Sequence, residues 1–113
     1  MVAACLAPMA AHAGWTPSQP VVGSAPDATN TRIAGDTDVR PLVVWTKSIL
    51  GFDVVQATRL NEDGTPGPIL TLSNLLENAE SPVVEVSRNG TAAVAWLSTS
   101  GVNDVVQSVT VLI

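Results

Sequence analysis

The stretch DVVQ at residues 53–56 occurs a second time at residues 104–107. Shifting the chain by 51 residues also places Trp45 on Trp96, and the polarity pattern between these anchors agrees. A fixed period of this size is typical of repeated supersecondary units. The sequence therefore predicts two copies of one structural unit, the first in residues 14–64 and the second in residues 65–113.

The composition favours β-strands in both units. Val dominates the apolar residues, and its branched Cβ suits a pleated, packed surface. No apolar stripe of helical period appears, and turn residues separate the strand-like segments. We expect an all-β fold, with strands near residues 19–23, 31–34, 40–47 and 52–60 in the first unit and near residues 68–72, 82–87, 91–97 and 104–112 in the second.

Three segments, SPVVEVSRNGTAAVAW, DVVQ and RLNEDGTPGPILTLS, resemble bacterial secreted β-propeller repeats over about residues 15–113. The resemblance implies two four-stranded antiparallel, propeller-blade-like sheets packed face to face, as an incomplete propeller. It implies a binding or scaffolding surface and specifies no ligand. A closed propeller has at least about four blades, so two blades leave two apolar faces open. A small β-sandwich is the alternative fold.

Open apolar faces predict self-association of the chain or the stacking of further blades. A protein or carbohydrate ligand is also compatible with such a surface. The net charge is −5 and the five basic residues are scattered along the sequence, which argues against binding of nucleic acid. No apolar run reaches membrane-spanning length. The alternative functions are a fragment of a larger secreted enzyme or adhesin, and a small β-sandwich carrier or inhibitor.

Residues 1–13 are small and apolar, and they end in Ala-His-Ala, a sequence typical of signal-peptide cleavage before Gly14. We expect the back part of a secretory signal peptide here, and a secreted or periplasmic mature chain. The single cysteine, Cys5, and the single histidine, His12, fall in this segment. A mature chain would then lack disulfides, thiolate nucleophiles and His or Cys metal ligands. We expect no enzymatic activity, no cofactor and no metal.

The repeated residues are predicted to be structural anchors rather than catalytic groups. The tryptophans each follow apolar residues, which favours packing between blades over stacking on a sugar. Duplication of the aspartates favours a role at strand entry over a pair of glycosidase carboxylates. The anchors are Trp45, Trp96, Asp53, Asp104, Gln56 and Gln107.

Two Asx-rich loops, Asp36-x-Asp38 and residues 61–64, offer oxygen ligands for calcium but lack the spacing of a known loop. Turn chemistry is favoured, because Asx side chains bond their own backbone. Residues 87–96 resemble the Asp-box of sialidase-like propellers, which is itself structural. Sialidase activity is excluded for this chain because it contains no Tyr nucleophile. Residues 89–91 form a glycosylation sequon by pattern, but an Asn-Gly hairpin turn is favoured.

Overall fold

The computed structural model describes residues 18, 20, 28–36 and 39–112. In this part of the chain every regular element is a strand, which confirms the all-β expectation. The predicted signal peptide, with Cys5 and His12, lies outside the described residues, as does almost all of the strand predicted at residues 19–23. The strands are β1 (Thr29–Asp36), β2 (Val39–Ile49), β3 (Phe52–Arg59), β4 (Leu70–Thr71), β5 (Ala79–Val86), β6 (Ala92–Ser98) and β7 (Val105–Val111).

The strands form two antiparallel sheets that pack together without closing into a barrel. The first sheet has the order β1-β2-β3-β4 and the second has the order β5-β6-β7 among the described residues. Two packed antiparallel sheets were expected, and the structure confirms them. One strand belongs to a different sheet from the one predicted. The strand predicted at residues 68–72 to open the second unit appears as β4, and it pairs with β3 at the edge of the first sheet.

The two sheets share one strand register at the 51-residue offset. Trp45 lies opposite Gln56 in the β2–β3 hairpin, and Trp96 lies opposite Gln107 in the β6–β7 hairpin. The first strand of each sheet also breaks register at the same place, near Asn30 (φ 54°) and Ser81 (φ 55°). A positive φ is uncommon outside glycine and marks a β-bulge here. Residues that are 51 positions apart in the sequence therefore occupy equivalent positions in the two sheets.

The core lies between the two sheets. Side chains alternate between the two faces of a strand, and one face of β2 and β3 packs against the second sheet. We call it the stacked face of the first sheet, and its buried residues are Leu42, Val44, Val55 and Ala57. The second sheet meets it with its covering face, whose core residues include Val84, Ala92, Val94, Trp96, Val109 and Val111. On the opposite face of the first sheet, Val43, Trp45 and Val54 are buried as well.

Candidate interaction site

The side of the second sheet that is turned away from the first sheet is exposed. Val83 is 56% exposed and Val106 is 74% exposed on this side. A contiguous exposed apolar patch on a sheet is typical of an interaction surface. We call it the outer face and define it by the side chains that alternate with the covering face, namely Glu80, Val83, Glu85, Ala93, Ala95, Leu97, Val106, Ser108 and Thr110.

Each residue of the outer face has an equivalent 51 residues earlier on the face of the first sheet that the second sheet covers. Val106 corresponds to Val55, which is completely buried, and Ala95 corresponds to the buried Val44. The cross-strand pairs correspond too, since Thr46 lies opposite Val55 and Leu97 lies opposite Val106. The outer face is therefore built like a surface that another sheet covers elsewhere in the same molecule.

The repeated Trp and Gln residues form the same hydrogen bond in both sheets. Trp45 Nε1 donates to Gln56 Oε1 at 3.2 Å, and Trp96 Nε1 donates to Gln107 Oε1 at 3.1 Å. Trp45 is 2% exposed and Trp96 is 5% exposed, with Trp96 in the core between the sheets. A buried indole N–H needs an acceptor, and the glutamine provides it. Neither ring is open for stacking on a sugar.

The repeated aspartates lie at the entries to β3 and β7, in different sheets, and both are exposed. The backbone N–H of Asp53 donates to Asn78 Oδ1 at 2.9 Å, so the residue that precedes β5 is tied to the start of β3. The role of the two aspartates as anchors of strand entry stays a prediction.

Three arginines gather at one end of the interface between the sheets, although the basic residues are scattered in the sequence. Arg40, Arg59 and Arg88 line a cleft of about 280 Å³ together with Glu62. Arg59 Nη1 donates to the Arg40 carbonyl at 3.0 Å, and Nη2 donates to the carbonyl of Gly90, in the turn between β5 and β6 of the second sheet, at 2.9 Å. Partial burial and then the charge of Arg40 lower the pKa of Arg59. Arg59 therefore bridges the two sheets.

Two loops use Asx side chains in their own turns, as the turn interpretation requires. Asp63 Oδ1 accepts hydrogen bonds from the Thr65 backbone N–H at 3.0 Å and from its hydroxyl at 2.6 Å, and these bonds lower the pKa of Asp63. Asn89 Oδ1 likewise accepts from the Thr91 N–H at 3.0 Å. Asp38, from the other candidate calcium loop, lies outside the described residues.

No group of three or more His, Cys, Asp or Glu residues that could hold a metal ion is found within residues 28–36 and 39–112. The described part of the chain also contains no helix that is long and apolar enough to span a membrane. Comparison of the sequence and structure with protein-family models, curated proteins and solved structures gives no match. The resemblance to β-propeller repeats therefore stays a prediction.

Proposed function

We propose that this chain is a non-catalytic, extracytoplasmic repeat module of the β-propeller type that serves as a binding or scaffolding surface. One observation carries the proposal. Val106 on the outer face is 74% exposed, whereas its equivalent Val55 is completely buried beneath a second sheet. The extracytoplasmic location is supported by the sequence of residues 1–13 alone.

The covering face of the second sheet indicates the chemistry of a partner for the outer face. It brings small aliphatic side chains such as Val84 and Val94, with one indole from Trp96, against the stacked face of the first sheet. The outer face carries two charged side chains, Glu80 and Glu85, both on β5, so contacts with its β6 and β7 side chains are mainly apolar. A suitable partner is another antiparallel sheet of similar composition, which sheet-on-sheet packing accommodates readily. A second copy of the chain offers such a sheet.

Light scattering of the full-length chain over a wide concentration range tests this proposal. We expect the mass to rise with concentration to that of a dimer or a larger assembly. A Val106→Lys substitution should shift the chain towards monomer, because burial of an unpaired ammonium is strongly unfavourable. The matched control is Val102→Lys, since Val102 is fully exposed in the loop before β7. A monomeric wild-type chain at every concentration would contradict scaffolding by self-association.

A further inference from the structure

We propose that the edge of β7 that pairs with no other described strand, called the open edge below, is an acceptor site for an extended peptide segment with the pattern Leu-Thr-x-Ser. The inference goes beyond the proposed function, because it concerns the backbone edge of the second sheet and not its outer face. It rests on the equivalent edge of the first sheet, the edge of β3. There a segment with this pattern, residues 70–73, already pairs as β4.

On the first sheet, the edge of β3 holds the β4 segment mainly through its backbone. The Leu72 N–H donates to the Val55 carbonyl at 2.8 Å, and the Val55 N–H donates to Ser73 Oγ at 2.8 Å. Further along, the Gly67 N–H donates to the Arg59 carbonyl at 2.9 Å. Both polar backbone groups of Val55 therefore point away from β2 and towards the bound segment. This is the pattern of a non-hydrogen-bonded pair in an antiparallel ladder.

A side chain adds specificity to this backbone pairing. Gln56 Oε1 accepts from Trp45, and Gln56 Nε2 donates to Thr71 Oγ1 at 3.2 Å. One amide group therefore connects three consecutive strands of the sheet. A threonine at the position of Thr71 fulfils this role because its hydroxyl accepts the second amide hydrogen bond.

The edge of β7 presents the same groups. Leu97 lies opposite Val106 as Thr46 lies opposite Val55, so the N–H and C=O groups of Val106 point to the open edge. Gln107 Oε1 accepts from Trp96, while Gln107 Nε2 has no hydrogen-bond partner among the described residues.

Gln107 also lines a cleft of about 360 Å³ on the covering-face side of the sheet, together with Val105, the end of β6, and Leu76 and Glu77 of the segment before β5. The glutamine amide that binds Thr71 at the edge of β3 is thus repeated on β7, where its side chain borders a cleft.

The edge of β7 also lacks the features that usually block strand addition. Natural edge strands are protected by charged residues, proline or bulges, whereas β7 reads VVQSVTV and pairs with β6 without a break in register. One contact of the first sheet is missing, because Thr58, whose hydroxyl donates to the Gly67 carbonyl at 2.9 Å, is replaced by Val109. The part of the β7 edge that is complementary to the peptide is therefore centred on Val106 and Gln107. A segment added here would extend the sheet by β-augmentation.

The test uses the full-length chain labelled with ¹⁵N and a synthetic peptide with the sequence of residues 66–78, PGPILTLSNLLEN. We expect saturable shifts of the Val106 backbone amide and of the Gln107 side-chain amide. A peptide with Thr71→Val should bind about three- to tenfold more weakly, which corresponds to one net hydrogen bond. In the protein, Gln107→Met should weaken binding by a similar factor and abolish the discrimination between the two peptides, as coupled partners require.

The proposal is overturned if millimolar peptide produces no saturable shift, if the shifts centre on β3, or if Gln107→Met still discriminates between the peptides. Should Gln107→Met fail to fold, the two peptides on the wild-type chain decide the matter, because equal affinities contradict the role of Gln107. These outcomes are independent of the light-scattering experiment. A chain that assembles through its outer face but binds no peptide keeps the proposed function and loses this inference.

Discussion

Val55→Ala and Val106→Ala form a matched pair of substitutions at equivalent positions of the two sheets. Each valine follows an Asp-Val pair and precedes Gln, and each faces a β2 or β6 residue in the same register. The wild-type side chains differ only in their surroundings, because Val55 is completely buried and Val106 is 74% exposed. The pair therefore isolates the effect of covering one sheet with another.

The expected destabilisation follows from the buried area that each substitution removes. Truncating a buried valine to alanine deletes two methylene equivalents, or about 1.6 kcal/mol of transfer free energy. The cavity that remains raises the total for Val55→Ala to roughly 2 to 3 kcal/mol. Only about a quarter of the Val106 side chain is buried, so the same transfer term gives about 0.4 kcal/mol for Val106→Ala in the monomer.

Urea denaturation followed by far-UV circular dichroism measures both values, with the free energy of unfolding obtained by linear extrapolation. The measurement is made at a low and at a high protein concentration. Assembly through the outer face predicts that the effect of Val106→Ala grows with concentration, because a partner that binds only the folded state stabilises it. Equal destabilisation by the two substitutions in the dilute sample would refute the distinction between a covered and an open face.

Four further substitutions test individual contacts by the same urea method. Arg59→Met should destabilise the chain by about 1.5 to 3 kcal/mol, since it removes a charged donor from the Gly90 carbonyl across the sheet interface. Gln56→Leu should cost about 1 to 3 kcal/mol by leaving a buried indole N–H unpaired, and Gln107→Leu should cost less because water reaches that half-buried site. The lowered pKa of Asp63 implies a stabilising contribution that is present above the ordinary Asp pKa of about 3.9 and is lost as the pH falls through the folded-state pKa. Asp63→Asn should therefore lower the urea midpoint at neutral pH, and the difference should shrink in acid.

The repeat in the sequence predicts more of the structure than the composition of any single segment does. Trp45 and Gln56 are eleven residues apart, as are Trp96 and Gln107. In a hairpin centred between them, this spacing makes the two residues cross-strand neighbours. Because an indole N–H and an amide oxygen are complementary, the constant spacing could have predicted the hydrogen bond.

Two features could not be predicted from the sequence because they depend on contacts between distant segments. β4 contains only two residues, Leu70 and Thr71, and neither its composition nor its length indicates which sheet it joins. Its place follows from the open edge of β3 and from Thr71, which accepts the Gln56 amide. The arginine cleft has the same origin, since Arg88 joins Arg40 and Arg59 of the first sheet only when the second sheet packs on it.

The burial of a residue in this fold is set by the stacking of sheets and not by the local sequence. Val55 and Val106 occupy identical DVVQ stretches, yet one is fully buried and the other is mostly exposed. Any method that reads only a short window must assign both the same burial, and it is wrong for one of them. The hydrophobicity of Val106 therefore has no explanation within the described residues of a single chain. Val106 has the same apolar side chain as Val55, which is a core residue of the first sheet. The outer face would bury Val106 in the same way only when another sheet covers it.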